Sequence, residues 1–199
     1  MLQCEFDAVG LGDMMFGKHV AEPKKDDETN EMHEERTWQQ KVNVNGDGQL
    51  YMQPFACKNS LESAAKWLKR KIKGENRATY IKRFVSGVIC TELLLLEDHS
   101  GKPLTLDDVD PVRLFVPSNG ERGSGKRVFK IFPTVHEWSA RGSIIVFDSK
   151  ITEDVLRDHL VAVGRFIGWG SMRVENGGIN GRFKVDNFAA QEIEETVGV

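Results

Sequence analysis

Glycine and basic residues are concentrated near the C-terminal end of the sequence. Residues 163–185, VGRFIGWGSMRVENGGINGRFKV, contain six glycines and four basic side chains: Arg165, Arg173, Arg182 and Lys184. Glycine adopts positive φ angles without steric cost, and it lets a second backbone or a phosphate group approach closely. Beside arginine, such a segment is typical of a phosphate-binding loop, but a long hairpin turn uses glycine in the same way. The sequence alone allows both interpretations.

A second glycine-rich stretch matches part of a nucleotide-binding motif. Residues 120–126, GERGSGK, match the first seven positions of a P-loop, but Arg127 stands where the motif needs a hydroxyl for magnesium. The residues that follow, VFKIFP, favour a strand, so no helix N-terminus is available to receive a phosphate. We therefore predict a flexible basic hairpin tip, whose side chains would contact a nucleic-acid backbone: Arg122, Lys126, Arg127 and Lys130.

Residues that could support catalysis are few. The five histidines are scattered without the spacing of metal ligands, and no serine or cysteine lies in a nucleophile-elbow sequence. Asp26, Asp27 and His33 are the candidates for a nuclease site, whereas a solvated charge run is the simpler interpretation of the same residues. We expect no metal ion and no cofactor, and binding is favoured over enzymatic activity.

Charge is strongly segregated along the chain, although the net charge of the 199 residues is only −3. Residues 22–35 hold seven acids and two lysines, whereas residues 58–83 hold nine basic residues and two glutamates. A basic block that gathers on one surface attracts anions, and an acidic block can contact a basic patch on a neighbouring copy. Three widely spaced cysteines predict a reducing, cytoplasmic environment, and no apolar run is long enough for a membrane span.

The predicted elements alternate between strand and helix. Hydrophobic patterning predicts strands at 2–11, 84–96, 142–147 and 181–188, with a long loop at 12–30. Short strands at 38–44 and 49–52 would flank the turn NGDG, and segments 113–116 and 127–132 would form the arms of a basic hairpin. The pattern predicts an α+β domain with long insertions.

Two helices are predicted between these strands. Asn59 or Ser60 would cap the first helix, whose apolar positions share one side: Leu61, Ala64, Ala65 and Leu68. Thr152 would cap the second helix, whose buried side would hold Val155, Leu156, Leu160 and Val163. The first helix carries most of the basic block, and the second leads directly into the glycine-rich segment.

Two stretches resemble the RAMP superfamily. One is GQLYMQPFACKNSLESAAKWL, where a strand passes through a proline into a serine-containing turn and a basic helix. The other begins at GSIIVFDSKITEDVLRDHL and continues through the glycine-rich segment to the last strand. The resemblance implies one modified RRM or ferredoxin-like domain over residues 1–199. By this resemblance, the hairpin at 113–132 would be thumb-like. The residues themselves predict a loop and hairpin insertion at 13–47 and a frayed acidic tail at 189–199.

RAMP proteins are the RNA-binding backbone and processing subunits of CRISPR effector complexes. By this resemblance, the first helix and the glycine-rich loop would face phosphates, and the thumb-like hairpin would contact the neighbouring subunit. The residues implied are Lys58, Asn59, Ser60, Lys66, Lys69 and Arg70 on the helix, and Gly168, Gly170, Arg173, Gly177, Gly178, Gly181 and Arg182 in the loop. Trp169, inside that loop, would either stack on a base or fill the core.

The expected function is non-catalytic binding of a single-stranded nucleic acid, with RNA favoured, by copies that associate head to tail along the strand. A mimic or inhibitor of a CRISPR backbone subunit, acting through protein contacts with CRISPR-type subunits, is the first alternative, and a RAMP-type ribonuclease is the second. The chain is short for a backbone subunit, and Glu175 in the loop would repel phosphate. In these two features the sequence departs from the RAMP pattern. A compact stand-alone relative in a bacterial cytoplasm, such as those that bacteriophages carry, would account for both.

Overall fold

The computed structural model describes residues 1–75, 77–118, 123 and 125–194. The strands are β1 (Leu2–Gly10), β2 (Met14–Met15), β3 (Tyr51–Met52), β4 (Val88–Cys90), β5 (Leu94–Glu97), β6 (Asp110–Pro117), β7 (Arg127–Val135), β8 (Ser139–Val146) and β9 (Phe183–Glu192). The helices are α1 (Asn30–Thr37), α2 (Pro54–Leu68), α3 (Ile81–Ser86) and α4 (Glu153–Ala162). A π-helical turn, Val163–Ile167, extends α4, and short 3-10 turns cover Trp38–Lys41, Leu106–Asp108 and Val174–Asn176.

The main sheet has the strand order β9–β1–β8, and β4 and β5 pair with opposite ends of β8. All of these pairings are antiparallel, and β3 extends the sheet beyond β5. Along the chain, β1 leads through α2 to β4 and β5, and β8 leads through α4 to β9. Two split β-α-β units therefore interlock in one sheet, which is ferredoxin-like connectivity. This confirms the predicted fold class, α+β with a ferredoxin-like arrangement and long insertions.

One face of the sheet packs against α2 and α4. Along β1, Cys4, Phe6 and Ala8 are buried, and Glu5 between them is exposed, as expected where successive side chains point to opposite faces. On β8, Ala140, Ile144 and Val146 continue the buried face. The alternation visible in the sequence thus places the core on the helical side and leaves the opposite face of the sheet open.

Helix α2 begins earlier than predicted. Asn59 and Ser60 do not cap it, because the helix already starts at Pro54. Proline at the first helical position has the required φ angle and lacks an N–H group that would need a partner, so it favours a helix start as readily as a strand end. The helix ends at Leu68, where Lys69 takes the left-handed conformation and donates its backbone N–H to the Ala65 carbonyl.

Helix α4 begins where the sequence predicts. The Thr152 hydroxyl accepts a hydrogen bond from the backbone N–H of Val155 at 3.4 Å, which satisfies one of the free donors of the first turn. Val155, Leu156 and Leu160 are buried, as predicted. After the π-helical turn, Gly168 at φ +75° ends the helical segment and begins the glycine-rich loop.

The insertion at 13–47 contains more structure than the predicted loop and hairpin. Strand β2 pairs with β7, helix α1 occupies the acidic run, and Trp38–Lys41 form a 3-10 turn where a strand was predicted. Of the predicted hairpin, one antiparallel bridge between Val44 and Leu50 is present. The carboxamide oxygen of Asn45 accepts hydrogen bonds from the backbone N–H groups of Asp47 and Gln49, so the side chain itself organises the turn.

The predicted basic hairpin is present and longer than expected. Strand β6 pairs with β7 over its whole length, from Asp110 opposite Thr134 to Pro117 opposite Arg127. With β2, the two strands form a second sheet. The tip at 119–122 and residue 124 lie outside the described residues.

Two other strand predictions need correction. The single strand predicted at 84–96 is divided among the end of α3, β4 and β5. The two strands are separate because β4 pairs with one end of β8 and β5 with the other. The frayed tail predicted at 189–199 begins instead as part of β9, which pairs with β1 up to Glu192. Residues 195–199 lie outside the described part of the chain.

Candidate nucleic-acid interface

The glycine-rich loop at 168–181 is fastened to the segment that follows β1. The Gly181 N–H donates to the Asp13 carbonyl at 2.7 Å, and the Ser171 N–H donates to the Met15 carbonyl at 2.7 Å. Within the loop, the Trp169 N–H donates to the Gly181 carbonyl at 2.9 Å. These peptide donors, which the sequence suggested for phosphate groups, are therefore occupied by the protein's own backbone.

The loop glycines are required by this internal packing. Gly168, Gly170, Gly177 and Gly181 all have positive φ angles between 73° and 79°. A Cβ atom on Gly181 would overlap the Trp169 carbonyl oxygen, and one on Gly178 would overlap the Met172 carbonyl oxygen. Close approach of one backbone segment to another explains these glycines without a ligand. Internal packing is therefore sufficient to account for them, and contact with a sugar-phosphate backbone stays a prediction.

Trp169 belongs to the core. Its side chain is only 2% exposed, and its indole Nε1 donates a hydrogen bond to the Ser60 Oγ at 3.0 Å. Its ring lies 4.2 Å from that of Phe183 and 5.9 Å from that of Trp138, measured between centroids. Trp169 cannot stack on a base in this position. Ser60 is likewise removed from the predicted phosphate face, since its buried hydroxyl accepts from Trp169 and donates to the Cys57 carbonyl.

The other predicted residues of α2 divide between two regions. Lys58 pairs with Glu62 and also donates to the Val85 carbonyl, so its charge is partly used within the protein, whereas Asn59 is exposed. Lys66, Lys69 and Arg70 lie exposed around the C-terminal end of the helix, and Arg70 pairs with Asp158 of α4. The exposed basic residues predicted for this helix therefore lie at its C-terminal end.

The basic residues of the hairpin form a separate group. Lys126 and Arg127 are exposed, and Arg127 donates to the Phe115 carbonyl at 3.1 Å. Arg122 lies outside the described residues. Lys130, three residues further along β7, donates to Glu34 at 2.7 Å and is used to hold α1.

The acidic run is largely paired within the chain, through Glu22, Glu28, Glu34 and Glu35. Its contact with a neighbouring copy stays a prediction. Hydrogen bonds from Arg36 lower the pKa of Glu28 to about 2. Glu34 is buried and accepts hydrogen bonds from Lys41, Lys130 and the Ile131 N–H. Although burial opposes ionisation, these donors hold its pKa below the usual range. The run thus fastens α1 to the hairpin.

The three candidate nuclease residues are not assembled into a site. Asp26 and Asp27 are exposed, whereas the Nδ1 atom of His33 lies 3.4 Å from Glu28 and 3.3 Å from Arg36. In the described part of the chain, no three potential metal ligands are grouped. The imidazole of His33 therefore belongs to the Glu28–Arg36 network.

A cleft of about 420 Å³ lies where the glycine-rich loop, the insertion and the first turn of α2 meet. Gly170 and Arg173 contribute from the loop, Lys18 and His19 from the insertion, and Phe55 from the helix. The remaining lining residues are Met14, Phe16, Gly17, Lys41, Asn43, Tyr51, Met52, Gln53 and Ala56. Among the described residues that line it there is no carboxylate.

The cleft is electropositive. Lys18 and His19 are exposed, and the N-terminal end of α2 adds the partial positive charge of its helix dipole. Arg173 is held by Glu175, which accepts from its guanidinium at 2.8 Å just outside the cleft. The buried charge of Lys41 is matched by Glu34. The free positive charge of the cleft is therefore concentrated at Lys18 and, in part, at Arg173.

Aromatic rings accompany this charge. The side chain of Phe55 is 62% exposed, and Tyr51 is partly exposed at the end of β3. Sequence reasoning missed Lys18, His19 and Phe55. The signal for Phe55 was its place on the helix, because it lies outside the side of α2 that holds Cys57, Leu61 and Ala64.

The open face of the sheet is acidic, whereas the cleft is electropositive. Asp7 pairs with Arg141 at 3.0 Å, and Glu5, Glu97 and Asp186 are exposed on the same side. The guanidinium of Arg141 and the Asn187 amide lower the pKa of Asp7 against the opposing effect of burial. Such a surface repels anionic groups, in contrast to the cleft.

No protein-family model matches the chain, and no curated protein matches it. Among solved structures, the chain is similar to one chain of a structure described as "CRISPR RNA-guided surveillance complex", with a TM-score of 0.40 and 10% sequence identity. That similarity covers 97% of this chain and 71% of the other. The RAMP assignment itself stays a prediction. In the described part of the chain, no helix is long and apolar enough to cross a membrane.

Proposed function

We propose that this protein binds a single-stranded nucleic acid, with RNA as the expected ligand, and does not cleave it. One observation carries the proposal: the cleft beside the glycine-rich loop combines Lys18, Arg173 and the exposed ring of Phe55, without a carboxylate among its described lining residues. Cations that follow a backbone, together with aromatic rings on which bases stack, are the features of sites for single strands.

The roles of these residues follow from their chemistry. Lys18 and Arg173 neutralise phosphate groups, and the N-terminal turn of α2 favours a negative charge at the same place. Phe55 offers a flat apolar surface that a splayed base covers, which removes apolar area of both partners from water. Such contacts do not depend on base identity, so the protein coats a strand with little sequence preference.

Fluorescence anisotropy tests the proposal with labelled single-stranded RNA, single-stranded DNA and duplex DNA at increasing salt. We expect binding to single strands that weakens as salt increases. In the double variant Lys18→Ala/Arg173→Ala, the slope of log affinity against log salt should fall in magnitude by about 1.4, which corresponds to two lost phosphate contacts on a single strand.

The matched control is Lys102→Ala/Lys150→Ala, which also removes two positive charges. Lys102, on the turn after β5, pairs with Asp108, and Lys150 lies beside Glu75. Neither lysine lines the cleft. Equal losses in the two double variants would show that net charge, not the cleft, determines binding. Cleavage of the RNA in magnesium that Asp27→Ala abolishes would replace the proposal with the nuclease alternative.

Head-to-tail association along the strand is part of the proposal and needs its own measurement. Sedimentation velocity with and without RNA should show larger assemblies only when the strand is present. If the protein binds no nucleic acid but associates with a CRISPR-type subunit, the mimic or inhibitor alternative is favoured instead.

A further inference from the structure

Two large aromatic side chains are stacked on the surface near the C-terminal end of α2. Trp67 is 59% exposed and Phe166 is 43% exposed, although both are among the most apolar residue types. Their ring centroids are 5.7 Å apart, and their planes differ by 19°. The pair therefore presents a flat apolar surface to solvent.

The local folding of both segments explains this exposure. The buried side of α2 holds Cys57, Leu61 and Ala64, and Trp67 lies outside this row in the last turn. Phe166 lies on the π-helical turn after α4, where Val163 and Ile167 point into the core and Phe166 does not. The two rings meet because α2 and the π-helical turn are neighbours, so each ring covers one face of the other.

The surroundings of the pair are basic. Lys66 and Arg165 are exposed next to Trp67 and Phe166 in the sequence, and the exposed Lys69 follows Trp67 by two positions. Arg182 donates to the Arg165 carbonyl at 3.4 Å, which brings a fourth cation to the region. A neighbouring cavity of about 490 Å³ is lined by Leu68, Arg70, Asp158, Val161, Ala162, Arg165 and Phe166. Its one carboxylate, Asp158, is paired with Arg70.

We propose that Trp67 and Phe166 form a stacking site for an unpaired nucleobase of the same strand that the cleft holds. The inference rests on the proposed function. Helix α2 has fifteen residues and is therefore about 22 Å long. The cleft lies at its first turn and the aromatic pair at its last turn, and the helical repeat directs Phe55 and Trp67 about 120° apart around the axis. A strand that runs along the helix and turns about a third of the way around it therefore reaches both.

Charge and shape together favour a nucleobase over a protein side chain. A base attached to a phosphate backbone supplies both a flat ring for Trp67 and negative charges for Lys66, Lys69 and Arg165. An exposed apolar patch of this kind marks an interaction site, and its ring of cations selects an anionic ligand.

Tryptophan fluorescence tests the site directly. Trp138 and Trp169 are buried, so the variant Trp38→Phe leaves Trp67 as the accessible emitter among the four tryptophans of the sequence. Titration of this variant with oligouridylate should quench its emission, because a stacked base is an efficient quencher. The further variant Trp38→Phe/Trp67→Phe should lose the quenching and still bind through the cleft.

An abasic strand separates stacking from charge. In anisotropy measurements, Trp67→Ala should weaken binding of oligouridylate about tenfold and leave binding of the same strand without bases unchanged. Equal losses on the two strands would overturn the stacking site. Circular dichroism should confirm that Trp67→Ala is folded.

The two proposals fail in different ways. If wild-type protein binds oligouridylate and Trp67→Ala binds it equally well, the stacking site is wrong and the cleft stands. If neither protein binds any strand, both proposals are wrong. If Trp67→Ala abolishes self-association and leaves the affinity for nucleic acid unchanged, the aromatic pair is a protein contact and the stacking site is overturned.

Discussion

The indole of Trp169, in the glycine-rich loop, donates a hydrogen bond to the hydroxyl of Ser60 on α2 at 3.0 Å, across 109 positions of sequence. Both side chains are buried, and the Ser60 hydroxyl in turn donates to the Cys57 carbonyl at 2.6 Å. Two residues that the sequence suggested as ligands for nucleic acid therefore bind each other. Their contact fastens the loop to the helix and sets one wall of the cleft relative to the other.

Ser60→Ala should destabilise the protein by about 1–3 kcal/mol, because it leaves the buried indole N–H without an acceptor. Urea denaturation measures the change in the free energy of unfolding. Ser63→Ala, at a half-buried position of the same helix, is the control and should change it little. An unchanged free energy in Ser60→Ala would show that the hydrogen bond does not stabilise the fold.

Glu175→Gln should strengthen binding of single-stranded RNA. The carboxylate of Glu175 holds the Arg173 guanidinium at 2.8 Å and repels phosphate, so its neutralisation frees a cation beside the cleft. Anisotropy should show a higher affinity at low salt than for wild type. The gain should be smaller when Arg173→Ala is combined with it, because only the removed repulsion then remains, and an undiminished gain there would assign the effect to net charge alone.

Gly181→Ala should be strongly destabilising, because the added Cβ would overlap backbone atoms of Trp169 and the residue has φ +73°. Gly46→Ala is the matched control, since its Cβ would meet open space and its φ angle is not positive. Thermal unfolding should show a lower Tm for Gly181→Ala and little change for Gly46→Ala. Equal Tm values would contradict the structural role given to the loop glycine.

The parts of the fold that local patterns determine were predictable from the sequence. Alternation in β1 and the cap and apolar spacing of α4 are properties of neighbouring residues, and both elements occur where they were predicted. The start of α2 was misplaced because Pro54 is compatible with a strand end and with a helix start, and the choice depends on tertiary packing.

The candidate site could be predicted only in part, because its residues are selected by contacts between distant segments. A tryptophan beside glycines and arginines looked available to a base, yet Trp169 is buried by Ser60, Trp138 and Phe183 from three other segments of the chain. Trp67, by contrast, is exposed. The acidic run looked available to a partner, yet Glu34 is paired with Lys130, 96 positions away. Composition gives the charges, and only the fold shows which of them are already neutralised.

His136 should make stability fall as pH rises above about 6.5. Its Nδ1 atom lies 3.0 Å from Asp13 and its Nε2 atom 3.0 Å from Asp110, and the bond to Asp13 is the largest cause of its raised pKa. A raised pKa in the folded state stabilises the protein fully below about pH 6.5, and this contribution is lost as pH rises through the folded value. His136→Gln should remove that part of the pH dependence of Tm, whereas His19→Gln, at an exposed position, should not.

His159 should make stability fall as pH decreases, the opposite of the effect of His136. Its ring is fully buried against Phe84, and burial is the largest cause of its lowered pKa. Above about pH 6.5 it is neutral in both the folded and the unfolded protein; at lower pH, the unfolded state takes up a proton that the folded state does not.

Stability should therefore fall on acidification, with a contribution from His159 of at most about 1.4 kcal/mol per pH unit. Urea denaturation at pH 7.5, 6.5 and 5.5 should show a shallower decline for His159→Phe than for wild type, because all other titrating groups are common to the two proteins. Parallel declines would mean that water or a local opening solvates His159 in the folded state, and the packing of α4 against α3 would then be looser than the contact with Phe84 indicates.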